Sequence, residues 1–203
     1  MMCVKRMLDI IFSILAILVF FPLFLIVSIL IYTKLGSPVF FTQDRVGKNG
    51  EIFKMVKFRS MVNSKDKNGK LLADGKRLTP FGRVLRSTSI DELPELINII
   101  KGDMSLVGPR PLLVEYITRY SKRQFKRHDV LPGLSGWAQI NGRNIISWEK
   151  KFEFDVWYVE NWSILLDVKI ILMTFIKVFK KSDINQNDNI TMEEFMGNKH
   201  GGE

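Results

Sequence analysis

Residues 10–32 read IIFSILAILVFFPLFLIVSILIY and contain no charged side chain. At about 1.5 Å of rise per residue, a helix of this length covers the roughly 30 Å hydrocarbon core of a bilayer. The run is too long for the apolar region of a secretory signal, and no small-x-small cleavage motif follows it before Lys34. It therefore predicts a membrane-embedded helix. Pro22 lies near its middle, where it cannot donate to the carbonyl of Leu18 and its ring crowds that turn. A bend at Phe21-Pro22 with half-helices on either side is the expectation. Lys5 and Arg6 precede the run and Lys34, Arg45 and Lys48 follow it, so the preference of basic flanks for the cytoplasm acts on both ends. A re-entrant hairpin satisfies both ends, whereas a kinked spanning helix satisfies one. Proline is tolerated in spanning helices, so residue chemistry by itself leaves the two open.

The rest of the 203 residues suffices for one core beside this anchor. A net charge of +9 and a pI near 9.7 imply an anionic partner: nucleic acid, an acidic membrane surface or a phosphorylated substrate. Nucleic acid fits poorly with the apolar segment and is not expected. Cys3 is the only cysteine, which excludes an intrachain disulfide and a cysteine-rich zinc site. With His128 and His200 as the only imidazoles, a multi-histidine centre is excluded in the same way. No glycine-rich phosphate loop of dinucleotide or P-loop spacing occurs. Carboxylates, arginines and lysines remain for any catalysis.

Downstream, Val39 to Thr42 and Ile52 to Phe58 are strand-like and flank the turn-rich Gly47-Lys48-Asn49-Gly50, which predicts a β-hairpin. The polar stretch 63–76 reads as a surface loop. Leu93, Leu96, Ile97 and Ile100 form one apolar face of a short helix near 92–101, with Pro94 in its first turn and Gly102 as its stop. Asp91 and Glu92 then fall at that helix N-terminus. Ser147 is placed to cap a helix running to about Glu160, with Trp148, Phe152, Val156 and Val159 on one face. Residues 164–181 read as an amphipathic helix, packed on the core or lying on the membrane surface. The division expected is an anchor at 1–36, a mainly helical α+β catalytic domain at 37–181 and a loosely held polar tail at 182–203.

A carboxylate at a helix N-terminus is favoured as its anion and can attack phosphorus, provided cations neutralise the phosphoryl oxygens. An acidic pair there is more often just a cap. Its company argues otherwise: Arg83 and Arg86 precede Asp91-Glu92, and Gly108-Pro109-Arg110-Pro111 follows the helix. Two prolines restrict the backbone of Arg110, whose forked guanidinium suits a phosphate. Lys57-Phe58-Arg59-Ser60-Met61 adds cations at the hairpin's end.

The segments SIDELPELIN (89–98) and KGDMSLVGPRP (101–111) closely resemble the signature of the bacterial sugar transferases, the monotopic phosphoglycosyl transferases. The likeness extends to Gln43-x-Arg45-x-Gly47, Lys57 to Met61, Pro132 to Gly136, Asn141-Gly142-Arg143, and Asp155 with Tyr158. The resemblance implies a Mg²⁺-dependent, two-step reaction. Asp91 attacks the β-phosphate of a UDP-sugar, UMP leaves, and polyprenyl (undecaprenyl) phosphate collects the phosphosugar. Glu92 corresponds to the second acid of the family dyad, and the two acids to the metal site. Arg110 corresponds to a phosphate-binding position, with Lys57, Arg86 and Arg143 as further substrate-binding candidates. The family anchor is a re-entrant helix in one leaflet, which favours the hairpin broken at Pro22 and places the catalytic domain on the cytoplasmic face of the bacterial inner membrane. Related anchors often carry serine before that proline, where this chain has Phe21. Residues 145–158 most resemble short forms acting on N-acetylated sugars, diacetylated bacillosamine among them. A non-enzymatic basic scaffold would explain the charge and the anchor but not the Asp-Glu and Pro-Arg-Pro elements.

Overall fold

The computed structural model describes residues 2–142, 146–180 and 194–197. The apolar run lies in α1, Met2–Leu35, which carries Pro22 within it. The two half-helices expected around Pro22 are one uninterrupted helix. Proline removes a single amide donor, and the hydrogen bonds of the neighbouring turns keep the helix intact. Among the described residues α1 alone is long and apolar enough to cross a membrane.

Both ends of α1 dock on the same globular body. Near its start, Lys5 bonds Asp167 at 2.5 Å and the carbonyl of Val107 at 3.1 Å. Arg6 donates to the carbonyls of Ile100 and Met104. Asp9 accepts from Ser105 Oγ at 2.8 Å and from the Leu106 amide at 3.1 Å. Towards the other end, Val27 and Ile31 are buried with Phe58 and Leu85. Arg59 closes the C-terminus by donating to the carbonyl of Leu35, the last helical residue, and to those of Gly36 and Ser37 just beyond it. Between these ends the same face stays docked, with Ala16 and Ile17 packed on Met55, Leu96, Ile99 and Met104, while Leu18 and Val19 are 66% and 71% exposed and Phe21 is exposed beside them.

After α1, strands β1 (Phe40–Val46) and β2 (Ile52–Phe58) pair antiparallel, with Phe40 opposite Phe58 and Val46 opposite Ile52. Asn49 and Gly50 turn the hairpin in the left-handed region. The polar stretch that follows is largely exposed, as expected. Helix α2 (Pro80–Ser87) starts at Thr79, whose hydroxyl accepts from the Gly82 amide. A 3-10 turn, Ile90–Glu92, leads to α3 (Glu95–Lys101), and Gly102 at φ 104° ends it. Next come β3 (Ser105–Val107), parallel to β4 (Gly133–Ser135), then α4 (Trp148–Glu160) and α5 (Ile164–Lys180). Ser147 caps α4 as expected, accepting from the Lys150 amide. The result is α+β, with two small sheets among helices.

Of the two placements its composition permits, helix α5 shows packing on the core. Ile170 is buried with Val107, Ile140 and Tyr158, while Leu165, Leu172, Phe175 and Ile176 face outward. The tail departs from expectation at 194–197. Phe195 is buried with Tyr116 and Phe152, and Arg119 bonds Glu194 and the Phe195 carbonyl. A single phenylalanine in a polar tail gives no periodic signal, yet burying its ring contributes roughly 2 kcal/mol.

β3 and β4 meet where the chain permits no side chain. A Cβ on Gly133 would lie 2.0 Å from the Gly108 amide nitrogen, and one on Gly108 would lie 2.3 Å from the Leu131 carbonyl oxygen. Gly133→Ala is expected to lower unfolding stability by at least about 3 kcal/mol in thermal melts of the detergent-solubilised protein. An unchanged melt would show that the two loops can separate without cost.

Candidate active site

The site begins with the positioning of β2. Asn98, on α3, accepts from the Val56 amide at 3.0 Å and donates to the Lys54 carbonyl at 2.8 Å and to Asp103 at 2.9 Å. One amide side chain thus substitutes for a missing strand partner and fixes β2 against α3. Lys57, near the end of β2, then reaches Glu92 Oε1 at 2.8 Å and Glu95 Oε1 at 3.0 Å, the latter without hydrogen-bond alignment. Arg110 Nη2 donates to the same Glu92 oxygen at 2.6 Å.

Asp91 and Glu92 do not open an α-helix. Ser89 adopts a left-handed φ of 55°, the pair sits in the 3-10 turn, and α3 begins only at Glu95, with Pro94 as the residue before it. The expected helix-dipole stabilisation is therefore not what governs Asp91. Burial, with the Glu92 charge beside it, pushes its carboxyl up to about 6, while Lys57, Arg86 and Arg110 hold it from going higher. Burial alone would raise Glu92 too, but Arg110 and Lys57 outweigh it and hold Glu92 well below the ordinary carboxylate range. The two acids thus differ: Glu92 is a fixed anion, and Asp91 is poised near neutrality. Glu95 is pushed up by burial and by Glu92.

Arg86 donates Nε to Ser60 Oγ at 2.9 Å, which orients it from α2 beside Asp91. Arg110 is 40% exposed despite its bond to Glu92, so solvent and ligand can reach it. Its loop is held from behind. The Pro109 carbonyl accepts from the Gly133 amide, and the Arg110 carbonyl accepts from Arg127 at 2.6 Å. Lys151 is brought down to about 8, mainly by burial, with Asp155 opposing and Arg110 and Arg127 reinforcing that fall. Five of the predicted residues, Lys57, Arg86, Asp91, Glu92 and Arg110, converge; Arg143 lies outside the described residues. Asn98, Glu95 and Arg127 escaped the sequence reading. Only the polar Asn98 within an otherwise apolar helical stretch could have hinted at its role.

The arrangement can hold an anionic phosphoryl group. Asp91 accepts no side-chain or backbone hydrogen bond among the described residues, so both its oxygens are available. No three His, Cys, Asp or Glu side chains among them form a dedicated metal cage. Magnesium needs none, because it is commonly held by one or two carboxylates together with substrate phosphates and water. The hard oxygens of Asp91 and Glu92 fit that donor set.

A carboxyl whose folded value lies above its unfolded 3.8 contributes stability below the unfolded value, and loses it as pH rises through about 6. Asp91→Asn is therefore expected to stabilise the Mg²⁺-free protein at pH 8 by on the order of 2 kcal/mol, with the gain shrinking towards pH 4. Thermal melts at the two pH values measure it, and a gain independent of pH would contradict the burial of an ionised Asp91.

Residues 1–181 match the family model for bacterial sugar transferases. The chain is 50% identical over 196 residues to the uncharacterized sugar transferase EpsL of Bacillus subtilis, covering 97% of each. It is 40% identical over 179 residues to the UDP-N-acetylgalactosamine-undecaprenyl-phosphate N-acetylgalactosaminephosphotransferase of Aeromonas hydrophila, over 84% of this chain and 42% of that one. It is also 40% identical over 188 residues to the UDP-glucose:undecaprenyl-phosphate glucose-1-phosphate transferase of Klebsiella pneumoniae, over 88% of this chain and 40% of that one. With the Asp91-Glu92 pair, Lys57 and Arg110 assembled at one point, and the match running from the anchor through α5, this chain belongs to the bacterial sugar transferase family.

Proposed function

We propose that the chain transfers a phosphosugar from a UDP-sugar to undecaprenyl phosphate through a covalent intermediate on Asp91. The observation that carries this reading is Asp91 itself: a buried carboxylate with no hydrogen-bond partner among the described residues, beside three cations. A carboxylate held only as a cap or structural ion would be bonded.

In the first step an Asp91 oxygen attacks the β-phosphorus. A new O–P bond forms, the bond from that phosphorus to the bridging oxygen breaks, and UMP leaves with the electron pair. In the second step a phosphate oxygen of undecaprenyl phosphate attacks the same phosphorus. The Asp91 O–P bond breaks, and the lipid carries the phosphosugar as a diphosphate. Arg110, Lys57 and Arg86 offset the charge of the phosphoryl oxygens, which would otherwise repel the Asp91 anion. Glu92 keeps Lys57 and Arg110 in place. Mg²⁺, held by Asp91 and Glu92, would neutralise phosphoryl charge when bound. For the sugar, we favour an N-acetylated one such as diacetylated bacillosamine. One relative is named for N-acetylgalactosamine and another for glucose, so the test needs a panel.

We further propose that the anchor is re-entrant in one leaflet, with both chain ends and the site on the cytoplasmic face; because α1 is continuous through Pro22, re-entry is by one helix bent there and not by two separate half-helices. Support comes from the docking of one face of α1 along its length, through Lys5, Asp9, Ile17 and Ile31, on the body that holds Lys57, Glu92 and Arg110, with Leu18, Val19 and Phe21 exposed on the other face. Were α1 to cross the bilayer, it would carry that charged body into hydrocarbon, at a cost of several kcal/mol per unpaired ion.

Incubation with UDP-sugars, undecaprenyl phosphate and Mg²⁺ should release UMP with at least one sugar, and Asp91→Asn should lower the rate at least about 1000-fold while leaving membrane attachment intact. Retained activity in that variant would remove Asp91 as nucleophile. In sealed inner-membrane vesicles, the exposed Cys3 and a cysteine placed at Gly202 should label from the same side. Labelling from opposite sides would mean a spanning helix.

A further inference from the structure

The Arg127-Asp155 pair is buried deeply enough to demand a reason. Both residues are 2% exposed, and Arg127 binds Asp155 Oδ2 through Nε at 3.0 Å and Nη2 at 2.8 Å. A pair this dry is weak evidence for net stabilisation, because desolvation of both ions offsets their attraction. Its geometry suggests another use. The same Nη2 donates to the Arg110 carbonyl at 2.6 Å, linking the loop that carries Arg110 to α4.

That loop is otherwise defined by Gly108 and Pro109, whose amide and carbonyl bond Ser135 and Gly133. Proline on either side leaves Arg110 few backbone conformations, and fixing its carbonyl selects among those that remain. The guanidinium of Arg127 rests over the rings of Tyr120 and Phe152, at 5.9 and 5.8 Å. Both rings pack on Phe195, at centroid separations of 6.0 and 4.9 Å. A continuous set of contacts therefore runs from the C-terminal segment through Arg127 to the backbone of Arg110.

We propose that Arg127, held by Asp155, is the positioning residue that aims Arg110 at the phosphoryl group, and that Phe195 supports it by packing the two rings on which its guanidinium lies. The proposal rests on the phosphate-binding role given to Arg110 above. It makes the segment at 194–197 part of the catalytic domain.

The test is a double-mutant cycle on the full chain in detergent, combining Arg127→Lys with Arg110→Ala. Two quantities are read: kcat/KM for the UDP-sugar turned over best, and the dissociation constant for inorganic pyrophosphate. With Arg110 present, Arg127→Lys should lower kcat/KM about tenfold and weaken pyrophosphate about threefold; with Arg110→Ala it should change neither by more than about twofold. Equal losses in both backgrounds would overturn the proposal, since a general loosening of the fold does not depend on Arg110. If no UDP-sugar is turned over while pyrophosphate shows the coupling, the donor assignment falls and the positioning role stands. Should Arg127→Lys fail to fold, Phe195→Ala carries the same cycle, with a loss of about threefold in kcat/KM expected only when Arg110 is present.

Discussion

One carboxylate oxygen holds the site together. Glu92 Oε1 accepts from Lys57 at 2.8 Å and from Arg110 at 2.6 Å, and so joins the end of β2, the 3-10 turn and the Pro-Arg-Pro loop at one point. The three segments are distant in sequence. Without that anion, Lys57 and Arg110 would repel each other. The same charge acts on its neighbour: burial raises Asp91 most, and the ionised Glu92 raises it further.

The anchor belongs to the same assembly. Asp9 and Lys5 bond β3 and α5, while Arg59, just beyond β2, closes the far end of α1. Residues that look like mere flanks of a hydrophobic segment are committed to polar contacts with the domain. One face of α1 packs on the core, and the strand carrying Lys57 is tied to it through Phe58 and the adjoining Arg59.

Much of this was legible before any coordinates. The uncharged run at 10–32, the Asn49-Gly50 turn, the Ser147 cap and the Gly102 stop each follow from local chemistry, and each is found. What escaped depends on contacts between distant segments. Pro22 predicts an interrupted helix by its missing donor, but the helix runs through it. The periodicity of Leu93, Leu96 and Ile97 suggested a helix start near Asp91, but the left-handed Ser89 and Pro94 put a 3-10 turn there. The protonation balance of Asp91 could not be read from its position, because burial overrides any dipole. Arg127 and Phe195 carry no local signal and Asn98 only its polarity within an apolar stretch, since the contacts that define their roles join segments far apart in the chain.

The nucleophile is tested most directly by mass spectrometry of the protein quenched in acid within one turnover, in the presence of Mg²⁺ and a UDP-sugar that supports UMP release, with undecaprenyl phosphate omitted. A phosphosugar adduct should appear on the peptide containing Asp91, disappear on addition of undecaprenyl phosphate, and be absent from the Asp91→Asn protein. UMP release coupled to lipid product, with an adduct on no residue of the chain at any time point, would contradict covalent transfer and leave direct displacement in its place.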